Sequence, residues 1–357
     1  MRLSQVVRPG PGQYIKGEHV LEMLDGLLES FSHPVMISGE ASYDVYCSYM
    51  KAWEGERLLY DRTASDEDAK RLAEKAKGAD VLVGVGGGKV LDTTKLVAEL
   101  LDVEYILIPT LAGTCAGYTP VAAVYDPEHH FRRVHYFERA PLATIVDDVL
   151  LLDEPEEYLM SGMADTLAKW YESKAIVEHL DGEKDACVDL GISAARITRD
   201  ILLQDGEEAI RSLKEKKNSP AFSRTIDAII GIAGCVGGFA GEAGRMAGAH
   251  AIHNGLAVAG ECEQVLHGIK VGYGILVQLV AEGKLEEVKE LLPFFKKNGF
   301  AYNLATLGVS ENFSETKKVM AEFAASEKET FLLAVPGITA QGILDAIETL
   351  EDLSKEE

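Results

Sequence analysis

Short apolar runs alternate with amphipathic stretches along the first 125 residues. Residues 34–38 (Pro-Val-Met-Ile-Ser) and 81–85 (Val-Leu-Val-Gly-Val) are apolar and bounded by Gly39 and Gly86. That pattern predicts strands buried on both faces, as in a parallel sheet. Residues 57–60 and 105–109 predict two more strands. Residues 42–52, 65–78 and 90–100 carry helical periods, with Ser65 as an N-cap and Gly78 as a stop. The alternation predicts an open, mostly parallel sheet with helices on both faces, a Rossmann-like α/β domain. Residues 110–125 read as a binding loop running into a hairpin strand, and 126–133 as a polar turn. Residues 133–137 and 143–147 read as a strand pair closing the region.

The pattern changes near residue 150. Pro155 suits the first turn of a helix. Helical periods then fill 155–179, 184–203, 207–216, 219–236, 246–260, 267–282, 284–298, 314–326 and 339–354, with no strand signal. This predicts two domains, an α/β domain over 1–150 and an all-helical domain over 151–357.

The most specific local pattern is Val81-Leu-Val-Gly-Val-Gly-Gly-Gly-Lys-Val-Leu-Asp-Thr-Thr-Lys95. A strand, three glycines (Gly86, Gly87, Gly88) and a helix aim free backbone N–H groups at an anion, and Lys89 adds a point charge. The stretch predicts a phosphate site. It matches neither the dinucleotide fingerprint, where Lys89 stands in place of the third glycine, nor the P-loop, where Val90 stands in place of Ser or Thr. Ligands of such sheets bind at the carboxyl ends of strands, which lines up Gly39, Gly86–Lys89 and Thr110 on one edge.

Composition bounds the partners. The formal net charge is −23 over 357 residues, which argues against nucleic acid or an anionic membrane surface. An anionic cofactor would need a local positive site such as the glycine turn with Lys89. Five scattered cysteines without a CxxC pair fit a reducing compartment. No leader stands out in the first ten residues, and no apolar run is read as membrane-spanning, so a cytoplasmic protein is expected.

The helical half carries a second constellation. Asp165 lies among Gly162, Met163, Ala164 and Leu167, on a face that reads as buried. The other reading of Asp165 is an i,i+4 ion pair with Lys169. His250 and His253 share one apolar helix face, and His267 opens the next helix. Singly, each histidine reads as a satisfied core residue. Together with Asp165 they also read as a mixed N/O metal site that leaves positions open for a substrate. Zinc and ferrous iron both remain open. A Lewis-acid metal in one half and a phosphate-bearing nicotinamide on the other suit hydride transfer at a hydroxyl carbon.

These motifs resemble the iron-containing alcohol dehydrogenase superfamily, in its glycerol-dehydrogenase branch. The resemblance rests on Gly84-Val-Gly-Gly-Gly-Lys-Val-Leu-Asp92-Thr-Thr-Lys95, Pro109-Thr110, Gly162-Met-Ala-Asp165-Thr-Leu-Ala, His250-Ala-Ile-His253-Asn-Gly and His267-Gly-Ile-Lys270-Val. Thr114-Cys-Ala-Gly-Tyr-Thr119-Pro120, Asp165-Thr-Leu-Ala-Lys-Trp-Tyr-Glu172 and Tyr273-Gly-Ile-Leu-Val-Gln278 resemble the hydroxycarboxylate dehydrogenases, or 2-oxo acid reductases, within it. The resemblance implies the fold shared with dehydroquinate synthase, one divalent metal (Zn or Fe) on Asp165, His250 and His267, and NAD or NADP. It implies cofactor contacts at Gly39, Gly86, Gly87, Gly88, Lys89, Asp92, Thr110, Gly113, Thr119, Val121 and Tyr125, with His253 beside the nicotinamide or the proton route. A homo-oligomer with a small-molecule substrate is expected.

Two departures bear on the substrate. Glycerol dehydrogenases of the branch carry an aspartate where Cys115 stands, and a thiol is a weak acceptor. Gly39 stands where NAD-using members carry an acid, which leaves room for a 2′-phosphate, although Glu40 beside it would repel one if it pointed inward. Arg245, five residues before His250, is either a surface arginine at a helix start or a bidentate anchor for a substrate carboxylate. The expected reaction interconverts a small hydroxy acid and its 2-oxo acid; the alternative is glycerol oxidation to dihydroxyacetone.

Overall fold

The computed structural model describes residues 6–180, 184–260, 262, 264–309 and 313–355; the first five residues, part of the stretch read above for a leader, lie outside these. Two compact units are present. They are not the two halves of the sequence, because residues Glu208–Cys235 join Arg8–Leu159. The α/β unit therefore recruits a helical segment from beyond the predicted boundary at 150. The second unit contains Met160–Glu207 and Val236–Glu357.

In the α/β unit the strands are β1 (Gln13–Gly17), β2 (Pro34–Ser38), β3 (Glu56–Leu59), β4 (Val81–Gly86), β5 (Glu104–Pro109), β6 (Val121–Tyr125), β7 (Phe131–Tyr136) and β8 (Ala143–Asp147). Helices α1 (Met23–Leu28), α2 (Glu40–Tyr49), α3 (Asp66–Lys75), α4 (Gly88–Leu101) and α5 (Asp148–Leu151) connect them. Ser65 caps α3 by accepting the N–H of Asp68, as its position predicts. The main sheet has the order β1-β8-β5-β4-β2-β3, and all its pairs are parallel. The chain runs outward from β2 to β3, then returns past β2 to β4 and on to β5. The strand order thus reverses between β2 and β4, where open sheets of this kind bind ligands. Gly39 ends β2 there and Gly86 ends β4.

Two strand expectations are corrected. Residues 131–136 and 143–147 do not pair with each other. β7 pairs antiparallel with β6 in a separate two-stranded sheet, while β8 lies between β5 and β1 in the main sheet. β1, Gln-Tyr-Ile-Lys-Gly, was not predicted. It is only half buried and is specified by its pairing with β8 rather than by an apolar run.

The remaining helices are α6 (Glu156–Glu178), α7 (Ala186–Glu215), α8 (Pro220–Asp227), α9 (Ala233–Ala240), α10 (Gly248–Ala259), α11 (His267–Ala281), α12 (Leu285–Asn298), α13 (Phe313–Ala324), α14 (Phe331–Ala334) and α15 (Ala340–Leu353). Among the described residues, none beyond Asp147 is in a strand. α7 is one helix where two were expected at 184–203 and 207–216. Gly206 does not break it; a Cβ there would meet the Met163 methyl at 2.5 Å, so the glycine allows close packing against α6. The period at 219–236 is divided by a π-helical turn, Ala228–Ile232, between α8 and α9. Contrary to the sequence reading, Pro220–Gly244 is long and apolar enough by length and composition to cross a membrane. More than half of it is buried inside the protein, as in a core helix.

A buried ion pair fastens the small sheet to α4. Lys95 Nζ donates to Asp92 Oδ1 at 2.8 Å and to the Val121 carbonyl at 2.7 Å, and Asp92 Oδ2 accepts the Ala123 N–H at 3.0 Å. Lys95 is fully buried. Burial raises the Asp92 carboxyl, and the Lys95 charge opposes that rise. Removing one member of such a pair leaves an uncompensated buried charge. Lys95→Met is therefore expected to lower unfolding free energy by about 3–5 kcal/mol, read from urea denaturation, whereas a loss no larger than that of a surface substitution would contradict the clamp.

Candidate metal and nucleotide sites

In the helical unit the metal candidates come from three helices. Asp165 lies mid-way along α6, His250 in the first turn of α10, and His267 opens α11. Gly268 explains how α11 comes so near α6. A Cβ there would lie 1.8 Å from the Ser161 carbonyl oxygen, one turn before Asp165, and the Gly268 N–H donates to Ser161 Oγ at 3.0 Å. His250 Nε2 and His267 Nε2 each approach Asp165 Oδ1 to 3.3 Å. Ligand atoms of all three residues lie within 4.8 Å of one another. Asp165 Oδ1 is buried and engages in no hydrogen bond.

The hydrogen bonds behind the imidazoles fix their tautomers. Glu172, fully buried two turns along α6 from Asp165, accepts the N–H groups of Ala247 and His250 at 2.7 and 2.9 Å through Oε1. Its Oε2 lies 2.7 Å from His250 Nδ1. A carboxylate only accepts, so His250 Nδ1 carries a proton and Nε2 is the nitrogen left to face Asp165 and a metal. A second chain backs His267. Asn254 Nδ2 donates to both Glu329 oxygens at 3.2 and 3.1 Å. Asn254 Oδ1 therefore accepts from His253 Nδ1 at 2.9 Å, and His253 Nε2 accepts from His267 Nδ1 at 3.0 Å. His267 Nε2 is then likewise the nitrogen left to face Asp165. His253 accordingly backs His267, a contact the sequence alone did not suggest.

Two imidazole nitrogens and a carboxylate oxygen converging on one point form a mixed N/O donor set, so these residues fit a divalent metal. His267 is half exposed while Asp165 and His250 are nearly buried, which gives a three-ligand site with an open side. Without a metal, burial opposes charge on His250, but the charges of Glu172 and Asp165 beside it outweigh that and push its pKa up to about 10. Burial alone would raise Asp165, yet His250 and His267 hold its carboxyl well below the usual range. Burial, aided by the neighbouring imidazoles of His267 and His250, keeps His253 well below the usual imidazole range, in keeping with its accepting role. Arg245 is half buried in the connection between Gly241–Gly244 and α10.

In the α/β unit the glycines serve close packing. None of Gly84, Gly86, Gly87 or Gly88 has a positive φ, so the turn itself does not require them. A Cβ at Gly84 would meet Thr94 Oγ1 at 2.5 Å, and one at Gly86 would meet Val90 at 2.6 Å. These two let α4 press onto β4. Gly87 is the N-cap of α4, which has neither a side-chain cap nor an acid in its first turn. Its first N–H groups remain available to an anion. Lys89 is half buried with its ammonium 4.9 Å above the Tyr125 ring, and burial lowers its pKa. The Thr110 N–H donates to the Gly86 carbonyl, bringing the end of β5 to the turn.

Other sequence candidates divide. Thr119 Oγ1 donates to the Cys115 carbonyl at 3.4 Å, in the turn that follows Gly113. Cys115 is half buried with a free thiol. Asp92 is corrected, because both its oxygens are committed to Lys95 and Ala123. The Val121 carbonyl is likewise taken by Lys95. At the end of β2, Glu40 turns to Arg57, with Oε2 3.2 Å from Nη2, and the Arg57 guanidinium stacks 4.0 Å over Tyr43. Glu172 and Glu329 carried no assigned role in the sequence. The i,i+7 spacing from Asp165 could have marked Glu172; nothing local marks Glu329.

Comparison with known proteins identifies the family and the fold. Residues 11–148 match the family model described as iron-containing alcohol dehydrogenase. Hydroxycarboxylate dehydrogenase A of Escherichia coli is 36% identical over 266 residues, 74% of this chain and 73% of that protein. Glycerol dehydrogenase of Thermotoga maritima is 29% identical over 354 residues, 96% of this chain and 95% of that protein. The crystal structure of a probable glycerol dehydrogenase from Sinorhizobium meliloti superposes with a TM-score of 0.85 at 26% identity, covering 97% of this chain and 98% of that one.

Two outcomes follow for the metal. In Glu172→Gln the amide can donate to His250 Nδ1, which would turn a proton toward Asp165; zinc affinity, read by competition with a chromogenic chelator, is expected to fall about 10–100-fold. Unchanged affinity would refute the tautomer assignment. Because metal-free His250 holds its proton up to about pH 10, zinc binding near neutral pH should release about one proton. Affinity should therefore climb as pH rises toward that value and then level off. Calorimetry in two buffers of different protonation enthalpy measures the release, and none at neutral pH would contradict it.

Proposed function

Since the chain belongs to the iron-containing alcohol dehydrogenase family, we propose that it interconverts a small 2-oxo acid and its hydroxy acid, using NADP(H) and one divalent metal, zinc or iron, on Asp165, His250 and His267. Membership makes it an oxidoreductase acting on alcohol or hydroxy groups. When bound, the metal supplies Lewis-acid polarisation of the substrate oxygen and the nicotinamide accepts or delivers the hydride.

The protein's own groups have separable tasks. Glu172 keeps the His250 proton on Nδ1, and His253 keeps the His267 proton on Nδ1, so both Nε2 atoms stay available. The first N–H groups of α4 and the Lys89 ammonium bind the cofactor's phosphates. Gly39 carries no acid at the end of β2, and Glu40 is paired with Arg57. That arrangement supports NADP(H) over NAD(H).

The observation that carries the acid substrate is Arg245, half buried five residues before His250 in the unit that holds the metal ligands. A guanidinium there can grip a carboxylate through two parallel N–H donors. Cys115 in place of a strong acceptor disfavours a polyol. The E. coli relative named for hydroxycarboxylate chemistry supports the same reading. Glycerol oxidation is the second reading, favoured by near-full-length relatives named glycerol dehydrogenase.

Absorbance assays of NADPH and NADH with 2-oxo acids, dihydroxyacetone and simple aldehydes, with and without added Zn²⁺, test this. The fastest turnover is expected with a 2-oxo acid and NADPH. Preference for dihydroxyacetone would install the second reading, and no turnover at all would end both. Arg245→Ala should cut kcat/KM on the 2-oxo acid about 100-fold while sparing a neutral ketone; equal losses on both would remove the carboxylate role.

A further inference from the structure

One buried acid of the α/β unit has no part in the chemistry above. Glu154 lies between α5 and α6 and is 4% exposed. Its Oε2 accepts the backbone N–H of Ala112 at 2.7 Å, and its Oε1 is buried without a hydrogen-bond partner. Ala112 is fully buried in the loop that leaves β5.

That loop lies over the glycine turn. Leu111 Cδ1 would be 2.9 Å from a Cβ at Gly87, and Thr114 Oγ1 would be 3.2 Å from one at Gly88. The loop's start is pinned where Thr110 donates to Gly86. Among the described residues, Ala112 supplies the one backbone N–H from Leu111 to Thr114 that has a hydrogen bond. Regular structure therefore does not hold the loop at this height; the bond to Glu154 does. The N–H groups of Leu111, Gly113 and Thr114 stay uncommitted beside the N-terminus of α4.

We propose that Glu154 is a positioning residue for the dinucleotide: by holding Ala112, it fixes the loop from Thr110 to Thr114 against the glycine turn, so that loop and turn form one preorganised seat for the cofactor. The inference rests on reading this unit as nucleotide-binding. A carboxyl buried this deeply is needed only as an acceptor, and burial, opposed by the Ala112 N–H and then by Lys216, pushes its pKa up to about 8. A neutral amide of the same shape can take over that task.

NADH and NADPH binding, followed by nucleotide fluorescence, and zinc binding, followed by chelator competition, are to be measured on the full-length protein. Glu154→Leu strands the Ala112 N–H and should weaken nucleotide binding about tenfold, with zinc affinity unchanged. Glu154→Gln should restore wild-type nucleotide affinity. If the Leu variant does not fold, Glu154→Asp, which draws the carboxyl back by one methylene, should show the same selective loss. Wild-type nucleotide affinity in the Leu variant, or in the Asp variant where that one replaces it, overturns the proposal. So does a Gln variant as weak as Leu, or a loss shared equally by zinc. If the wild-type protein bound neither nucleotide, the reading of the unit would fail and this inference with it; normal wild-type binding with an indifferent Glu154 would remove the inference alone.

Discussion

Two imidazole nitrogens and a carboxylate oxygen directed at one another repel unless a proton or a metal ion lies among them, and the helical unit is arranged to hold them so. Each ligand comes from a different helix, so no local sequence preference could assemble them. α6 brings Asp165 and its helper Glu172 on one face, two turns apart. Gly268 lets α11 run so close to α6 that a single methyl group would strike the Ser161 carbonyl. Glu172 then ties the start of α10 to α6 by accepting two of its backbone N–H groups as well as bonding the ring of His250. Backbone packing and ligand orientation are thus the same set of contacts, and a change in either disturbs both.

The α/β unit solves a different electrostatic problem. A chain of net charge −23 that takes an anionic cofactor needs a local field opposite to its overall one. Its strongest buried cation, Lys95, does not provide it, because its charge is spent on Asp92 and its remaining bond on the Val121 carbonyl. The field comes from the uncapped start of α4 and from Lys89, whose ammonium sits over an aromatic ring and pairs with no carboxylate among the described residues. Two lysines six residues apart are told apart by their partners, which sequence spacing does not reveal.

That distinction marks how far the sequence could be read. The central strands were legible because burial on both faces leaves continuous apolar runs, as in 34–38 and 81–85. β1 was not, since a half-buried edge strand without an apolar run is defined by its neighbour. The 143–147 run was correctly seen as a strand but given the wrong partner, because periodicity says nothing about pairing. Gly206 lies inside α7 at a close contact with Met163, and the two periods at 184–203 and 207–216 are one helix. Asp165, His250 and His267 were legible as residue types on buried faces, and the structure brings them together. The Asp92 bonds to Lys95 and Ala123 were not legible, because a motif position does not say where a side chain points. Glu329 and Glu154 were out of reach: each acts on a group 75 or 42 residues away in the chain.

Both sites also share a design in which buried carboxyls act on groups they do not directly offer to a ligand. Glu172 orients His250, Glu329 works through Asn254 and His253 on His267, Asp92 steadies Lys95, and Glu154 holds a backbone N–H. Each is removed from water, where a carboxylate is costly unless it is paired, accepts hydrogen bonds or becomes neutral. Glu172 and Asp92 meet that condition with several donors each. Glu154 has one donor and a bare oxygen, and it resolves the conflict by holding its proton. The same burial that makes these acids expensive makes them rigid, since any displacement would leave a polar group unsatisfied. Sites that must hold ligands from separate helices and a loop without regular hydrogen bonding gain their definition from such groups, which is why substituting one of them should alter affinity before it alters the fold.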